Sequence, residues 1–225
     1  RMLPKSVWQI PRLGTINLHA SLLPNYRGAA PINWVLIEGE KKTGVTTFFI
    51  DDAIDSGAIL MQNQVNINKY DDAESLSNKL LLIGAPLIIK TLESIWLKKI
   101  VSRKQKLTGL EKESPKLTSE NTRLDWSSSL EELRNKIRGL SPYPGAWTQL
   151  RNNDSLTRIK IFKAEKIYSK HKFPIKKIII ESNKLLITNS EGFLNCLIVQ
   201  LSNKKQMSAK ALLNGYKFYP NSNVF

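Results

Sequence analysis

The sequence predicts an α/β layered first half, a polar linker and a small β-barrel, in that order. Three observations carry this. Strand-like and helix-like segments alternate as far as Leu97, which argues for helices layered on a sheet. The apolar periodicity then dissolves through "KKIVSRKQKLTGLEKESPKLTSEN", which reads as a linker. From residue 146 onward, short β-rich runs recur with turn signals between them, the pattern of a small OB-like barrel.

The elements follow in order. Gly14 punctuates the chain, and "TINL" behind it is a short strand. Pro31 suits a first helical turn, so Ile32 to Glu38 reads as a helix. "TGVTTFFI", Thr43 to Ile50, is β-branched and aromatic and is the clearest strand of the first half. The polar loop "DDAIDSG" separates it from a second strand, "AILMQNQVNI". Asp72 and Glu74 precede an amphipathic helix that ends near Leu97. In "SSSLEELRNKIRGL" serines precede a helix, glutamates occupy its first turn and Gly139 closes it. "SPYPG" is a tight turn. The barrel strands are "AWTQL", "RIKIFKAEKIY", "KKIIIES", "KLLITNS" and "FLNCLIVQL". No internal repeat is present.

Composition limits the function classes. An apolar content of 41% in 225 residues suits a globular chain with a core. No run approaches the ~20 apolar residues that span a bilayer as a helix. One cysteine, Cys196, excludes an internal disulfide and a cysteine-built metal site, and its apolar setting reads as core. A reducing compartment fits, and the expected location is the cytoplasm. The chain opens on Arg1, and "RMLP" reads as the end of an element, so a preceding segment is expected. The net charge is +15, of which +10 falls in residues 111–225. Such an excess suits a polyanion, nucleic acid first, or else a lysine-rich solvated surface.

Asn17 and His19 end the first strand. Residues i and i+2 of a strand face the same side, so both can point into one crevice. In open α/β sheets the ligand crevice lies beyond the carboxyl ends of the strands. Asp55, in the loop after the next clear strand, joins them there if that strand is parallel. A carboxylate beside an imidazole favours its charged form and holds its orientation. A carboxamide can donate to an oxygen that becomes negative in a transition state. The three together suit acyl transfer to an amine, with proton movement between the attacking and leaving nitrogens. No serine or cysteine stands out as a covalent nucleophile, so direct transfer is the simpler course. Asn-x-His alone is more often structural than catalytic, and Asp-Ser-Gly alone is by default a turn.

The combination is more specific. "NLHASLLPNYRGAAPI" with "TGVTTFFIDDAIDSGAI" resembles the folate-dependent formyltransferases. That resemblance implies a partial Rossmann-like formyltransferase domain using 10-formyltetrahydrofolate as co-substrate, without a metal. Asn17, His19 and Asp55 match the catalytic positions, and Ser21, Leu22, Leu23 and Pro24, with Met2 and Leu3, the cofactor site. "RLDWSSSLEELRNKIRGLSPYPGAWTQL", "IKIFKAEK" and "MSAKALLNGYKF" resemble the C-terminal domain of the members that formylate methionyl-tRNA in preparation for translation initiation. The implied partner is initiator methionyl-tRNA, met by a monomer. The expected divisions are 1–98 for the C-terminal part of the catalytic domain, 99–121 for the linker and 122–225 for the tRNA-binding barrel. Lys112, Lys116, Arg123, Lys204, Lys205 and Lys210 are the expected nucleic-acid contacts. "APINW" and "PYPGA" also resemble the formyltransferases that act on nucleotide-linked amino sugars, which is the first alternative. A non-catalytic RNA-binding protein is the second.

Overall fold

The computed structural model describes residues 3–225, so Met2 of the expected cofactor site lies outside the described residues. The chain forms two compact units, residues 1–35 with 40–117 and residues 36–39 with 118–225. Both mix helices and strands.

The first unit holds helix α1 (Lys5–Trp8) and strands β1 (Ile16–His19) and β2 (Arg27–Gly28). Helix α2 (Pro31–Ile37) begins in it, with Pro31 at the first helical position. Strands β3 (Lys42–Phe49) and β4 (Ile59–Asn66), helix α3 (Ala73–Trp96) and strand β5 (Glu113–Ser114) complete it. The three main strands lie in the order β1-β3-β4, and both pairings are antiparallel. This corrects the expectation that Asn17, His19 and Asp55 meet at the carboxyl ends of parallel strands. β3 runs against β1, with Asn17 opposite Phe48 and His19 opposite Thr46.

Helix α3 begins with a capping box, in which Asp72 accepts from the Ser75 amide and Ser75 from the Asp72 amide. Its buried residues Leu76, Leu80, Gly84, Leu87 and Thr91 recur every three or four positions, the inner stripe of an amphipathic helix. Thr91 shares a 2.9 Å hydroxyl–hydroxyl hydrogen bond with Thr47 of β3. The segment expected as a linker is tied into this unit for much of its length. Ile59 and Arg103 exchange backbone hydrogen bonds of 2.8 Å, and β5 pairs in parallel with β2.

The second unit holds α4 (Leu130–Gly139), β6 (Ala146–Asn152), β7 (Ser155–Tyr168), β8 (Ile178–Glu181), β9 (Lys184–Asn189) and β10 (Gly192–Leu201). Strand β11 (Met207–Ser208), helix α5 (Ala209–Gly215) and strand β12 (Asn223–Val224) follow. The sheet order is β12-β6-β7-β10-β9-β8, with β11 also on β10. The sheet curls until its ends meet. Ile178 donates to the Ser222 carbonyl at 3.0 Å and Val224 to the Lys176 carbonyl at 2.9 Å. Leu130, Leu133 and Ile137 of α4 are fully buried, as are Leu150, Ile159, Ile161, Leu185, Ile187 and Leu194 of the sheet. Cys196 is buried in the same core, and burial alone pushes its thiol well above the ordinary range. Among the described residues, no helix is long and apolar enough to cross a membrane.

Candidate active site

The site is built where β1 ends. His19 is buried at 6% exposure, and its Nε2 lies 2.7 Å from the Tyr26 carbonyl oxygen. A carbonyl can only accept, so Nε2 carries a proton and Nδ1 is the nitrogen turned to Asp55. Nδ1 lies 3.4 Å from Asp55 Oδ2. The same carboxylate oxygen accepts the Gly28 amide at 3.0 Å. Asp55 adopts a positive φ of 51°, which turns the loop back towards His19.

Asn17 is exposed, and with Asp55 it lines a cleft of about 610 Å³ whose walls include Leu3, Trp8, Phe48 and Ile50. That volume suits a bound small molecule. His19 is less exposed than Asn17 and reaches the cleft lining through its contact with Asp55. Asp51 shapes the loop, with Oδ1 accepting from the Ala53 amide at 3.1 Å and the Ser56 hydroxyl at 2.5 Å.

Ser21, Leu22, Leu23 and Pro24 do not line this cleft. Ser21 is fully buried and donates to the Asn25 carbonyl at 2.6 Å. Thr46 Oγ1 donates to the Ser21 carbonyl and accepts from the Leu23 amide, and Gln62 donates to the Leu23 carbonyl. Leu23 packs with Phe48 and Ile59. The segment is thereby fastened to β3 and β4, and it delivers Tyr26 to His19.

Several supporting residues carry no signal in the sequence. Gln105 donates to the Asp55 and Gly57 carbonyls at 2.8 Å each and accepts from Arg27 at 3.1 and 2.6 Å. Buried Ser114 donates to the Tyr26 carbonyl at 2.9 Å. Gly28, at φ 124°, passes so close to β5 that a Cβ there would lie 2.5 Å from the Ser114 carbonyl oxygen. Only the glycines of "YRG" and "DSG" hint at such close approaches.

The basic residues expected to meet nucleic acid divide between the units. In the first, Lys112 pairs with Glu40 at 2.9 Å, and Lys116 is exposed. Burial pushes the Glu40 carboxyl up, but hydrogen bonds from Tyr26 and Lys112 and the Lys112 charge outweigh it and hold it below its usual value. In the second unit Arg123, Lys204, Lys205 and Lys210 are exposed. The β6–β7 hairpin adds cations that residue type alone does not single out. Trp147 lies under two guanidiniums, Arg158 at 3.9 Å and Arg123 at 5.6 Å from the ring centre. Lys160 stands opposite Trp147 in the register, and Arg151 covers Phe225. No carboxylate pairs with these four cations among the described residues. The alternation in "TRIKIF" is the signal that could have found them.

Comparison with known proteins follows the same division. The family described as formyl transferase matches residues 1–92, and its C-terminal domain matches residues 116–217. A methionyl-tRNA formyltransferase of Flavobacterium johnsoniae is 44% identical over 225 residues, covering 100% of this chain and 71% of that protein. A sugar 3N-formyltransferase solved with dTDP and 5-N-formyl-THF is 25% identical. It superposes with a TM-score of 0.60 over 84% of this chain and 66% of its own. A variant of HypX from Aquifex aeolicus, 19% identical, shares the fold with a TM-score of 0.70 over 98% of this chain and 39% of its own.

Proposed function

The chain belongs to the methionyl-tRNA formyltransferase family, and on that premise we propose how its residues divide the work of formyl transfer. The reaction is transfer of a formyl group to methionyl-tRNA. In our reading the acceptor is the initiator tRNA, charged and formylated for translation initiation in the cytoplasm. The donor is 10-formyltetrahydrofolate, which supplies the formyl carbon. The apolar and aromatic walls of the cleft, with Asn17 and Asp55 between them, suit a flat heteroaromatic donor. Leu3 belongs to its wall in this reading, and Ser21–Pro24 shape the site from behind.

The observation that carries the proposal is the His19–Asp55 contact beside the exposed carboxamide of Asn17. Asn17 donates to the formyl oxygen as it gains negative charge. Asp55 borders the cleft and takes the proton that the attacking amine loses, and that proton passes on to the nitrogen that leaves the formyl carbon. His19 contacts Asp55, with Nε2 committed to Tyr26 and Nδ1 available to share the proton in between. Asn17, His19 and Asp55 all belong to the first unit, so a monomer suffices.

The first unit is read as a Rossmann-like catalytic domain and the curled sheet of the second as an OB-like barrel. The barrel meets the phosphate backbone of tRNA. Arg123, Lys204, Lys205 and Lys210, with Arg158 and Lys160, supply charge that positions without reading sequence. Lys112 and Lys116, at the end of the first unit, extend the basic stretch. The likeness to a sugar formyltransferase keeps one second reading, an amino-sugar acceptor. Assaying the intact enzyme with methionyl-tRNA and a nucleotide-linked amino sugar side by side decides between them. Formylation of the sugar and not of the tRNA would overturn the proposal.

A further inference from the structure

We propose that residues 103–114 are a strap of the catalytic apparatus, in which Gln105 and Ser114 are positioning residues for the Asp55–His19 pair. The inference rests on the reading of that pair as catalytic. A tether between two domains keeps its polar side chains in water. Gln105 does the opposite. Its two amide hydrogens go to the carbonyls of Asp55 and Gly57, at 2.8 Å each. Its oxygen takes both Nε and Nη2 of Arg27, at 3.1 and 2.6 Å. The hydrogen-bonding capacity of the amide is thus spent, which fixes its orientation. The two carbonyls it holds bracket Ser56, so it clamps the Asp55 loop on both sides. The strap is itself anchored, because Arg103 exchanges backbone hydrogen bonds with Ile59.

Ser114 serves the other partner. Its hydroxyl and His19 Nε2 both donate to the Tyr26 carbonyl, at 2.9 and 2.7 Å. Its own carbonyl accepts the Ala29 amide at 2.7 Å and the Ala30 amide at 3.2 Å, holding the chain that carries Gly28 against Asp55 Oδ2. One segment therefore sets the carboxylate from its backbone side and the imidazole from its Nε2 side.

A double-mutant cycle in the intact enzyme tests this. Gln105→Ala should lower kcat about tenfold and leave KM for methionyl-tRNA within about twofold, since only the placement of Asp55 changes. In an Asp55→Asn background, itself strongly impaired, the same change should cost less than about twofold. Gln105→Glu keeps the shape and the Arg27 contact but turns an oxygen towards the two carbonyls, so it should lose rate as the alanine does. It serves as the probe if the alanine variant does not fold. Equal losses in both backgrounds, or no loss in either, would overturn the strap while leaving Asp55 catalytic. Full activity of Asp55→Asn alone would overturn the catalytic reading, and the strap with it.

Discussion

Gly28→Ala is the substitution whose effect the structure prescribes most closely. The added Cβ would lie 2.5 Å from the Ser114 carbonyl oxygen and 3.0 Å from its carbon. Neither atom belongs to a flexible side chain, so β2 and β5 must separate by roughly 0.5 Å or more to relieve the clash. That carbonyl accepts two amides, Ala29 and Ala30, and each hydrogen bond contributes about 1 kcal/mol. The φ of 124° adds about 1–2 kcal/mol of backbone strain for any residue with a Cβ. The expected destabilisation is therefore about 3 kcal/mol, read as a fall in the urea midpoint at unchanged m-value. The Gly28 amide is also a hydrogen-bond donor to Asp55, so kcat for formylation should fall by about tenfold or more. Gly109→Ala is the control. Its φ is 82° with nothing within 4 Å of the added Cβ, so it should show the strain alone, about 1 kcal/mol. A Gly28→Ala loss of stability no larger than that of Gly109→Ala, with wild-type kcat, would show that the close approach of β2 to β5 does not matter.

Three further outcomes are expected. His19→Ala should lower kcat by about 10²-fold or more and also cost about 1–3 kcal/mol, because the imidazole is buried and bonded to Tyr26; normal turnover in steady-state assays would contradict the first part. Burial pushes the Asp71 carboxyl up, but Lys79 at 2.6 Å, the Asn68 amide and Ser75 outweigh it and hold it below its usual value. A group depressed in the folded state stabilises above its unfolded value and loses that contribution as the pH falls through its folded one. Wild type should therefore lose stability below about pH 4, and Asp71→Asn should melt lower at neutral pH with a flatter slope in acid, which thermal melts across pH 2–7 would check. Replacing Arg123, Arg158 and Lys160 by alanine should flatten the slope of log K for tRNA against log salt by about 0.9 for each phosphate no longer neutralised. An unchanged slope in filter-binding titrations would assign those cations to the solvated surface.

Where a local rule is decisive, the sequence can be read. The capping boxes at Asp72–Ser75 and Ser129–Glu132 and the buried stripes of α3 and α4 sit where the pattern puts them. Asn17, His19 and Asp55 are legible as a set, and His19 and Asp55 do touch. Their geometry is not legible, because strand direction leaves no trace in a short apolar run and the antiparallel β1–β3 pairing changes how the loop returns. Nor does residue type reveal that His19 is buried against Asp55. Helix α1 buries no side chain and so has no pattern to detect. Strands β2 and β5 are two residues each and join positions far apart in the chain. Gln105 lies in a polar stretch whose composition alone describes a flexible connection.

The meeting of β8 and β12 bears on how the protein behaves in crowded solution. A sheet with open ends presents rows of unpaired amides and carbonyls on which another chain can add a strand. Here the bonds from Ile178 to Ser222 and from Val224 to Lys176 close that opportunity. The seam is narrow, since β12 is only two residues long and its other side is held by Arg151 and Leu150 of β6. A few backbone bonds near residue 223 therefore separate a closed, non-templating surface from one that would expose β6 and β8 together. The closure of the second unit's sheet thus rests on one of its shortest strands, and the +10 excess of charge in residues 111–225 adds long-range repulsion between copies.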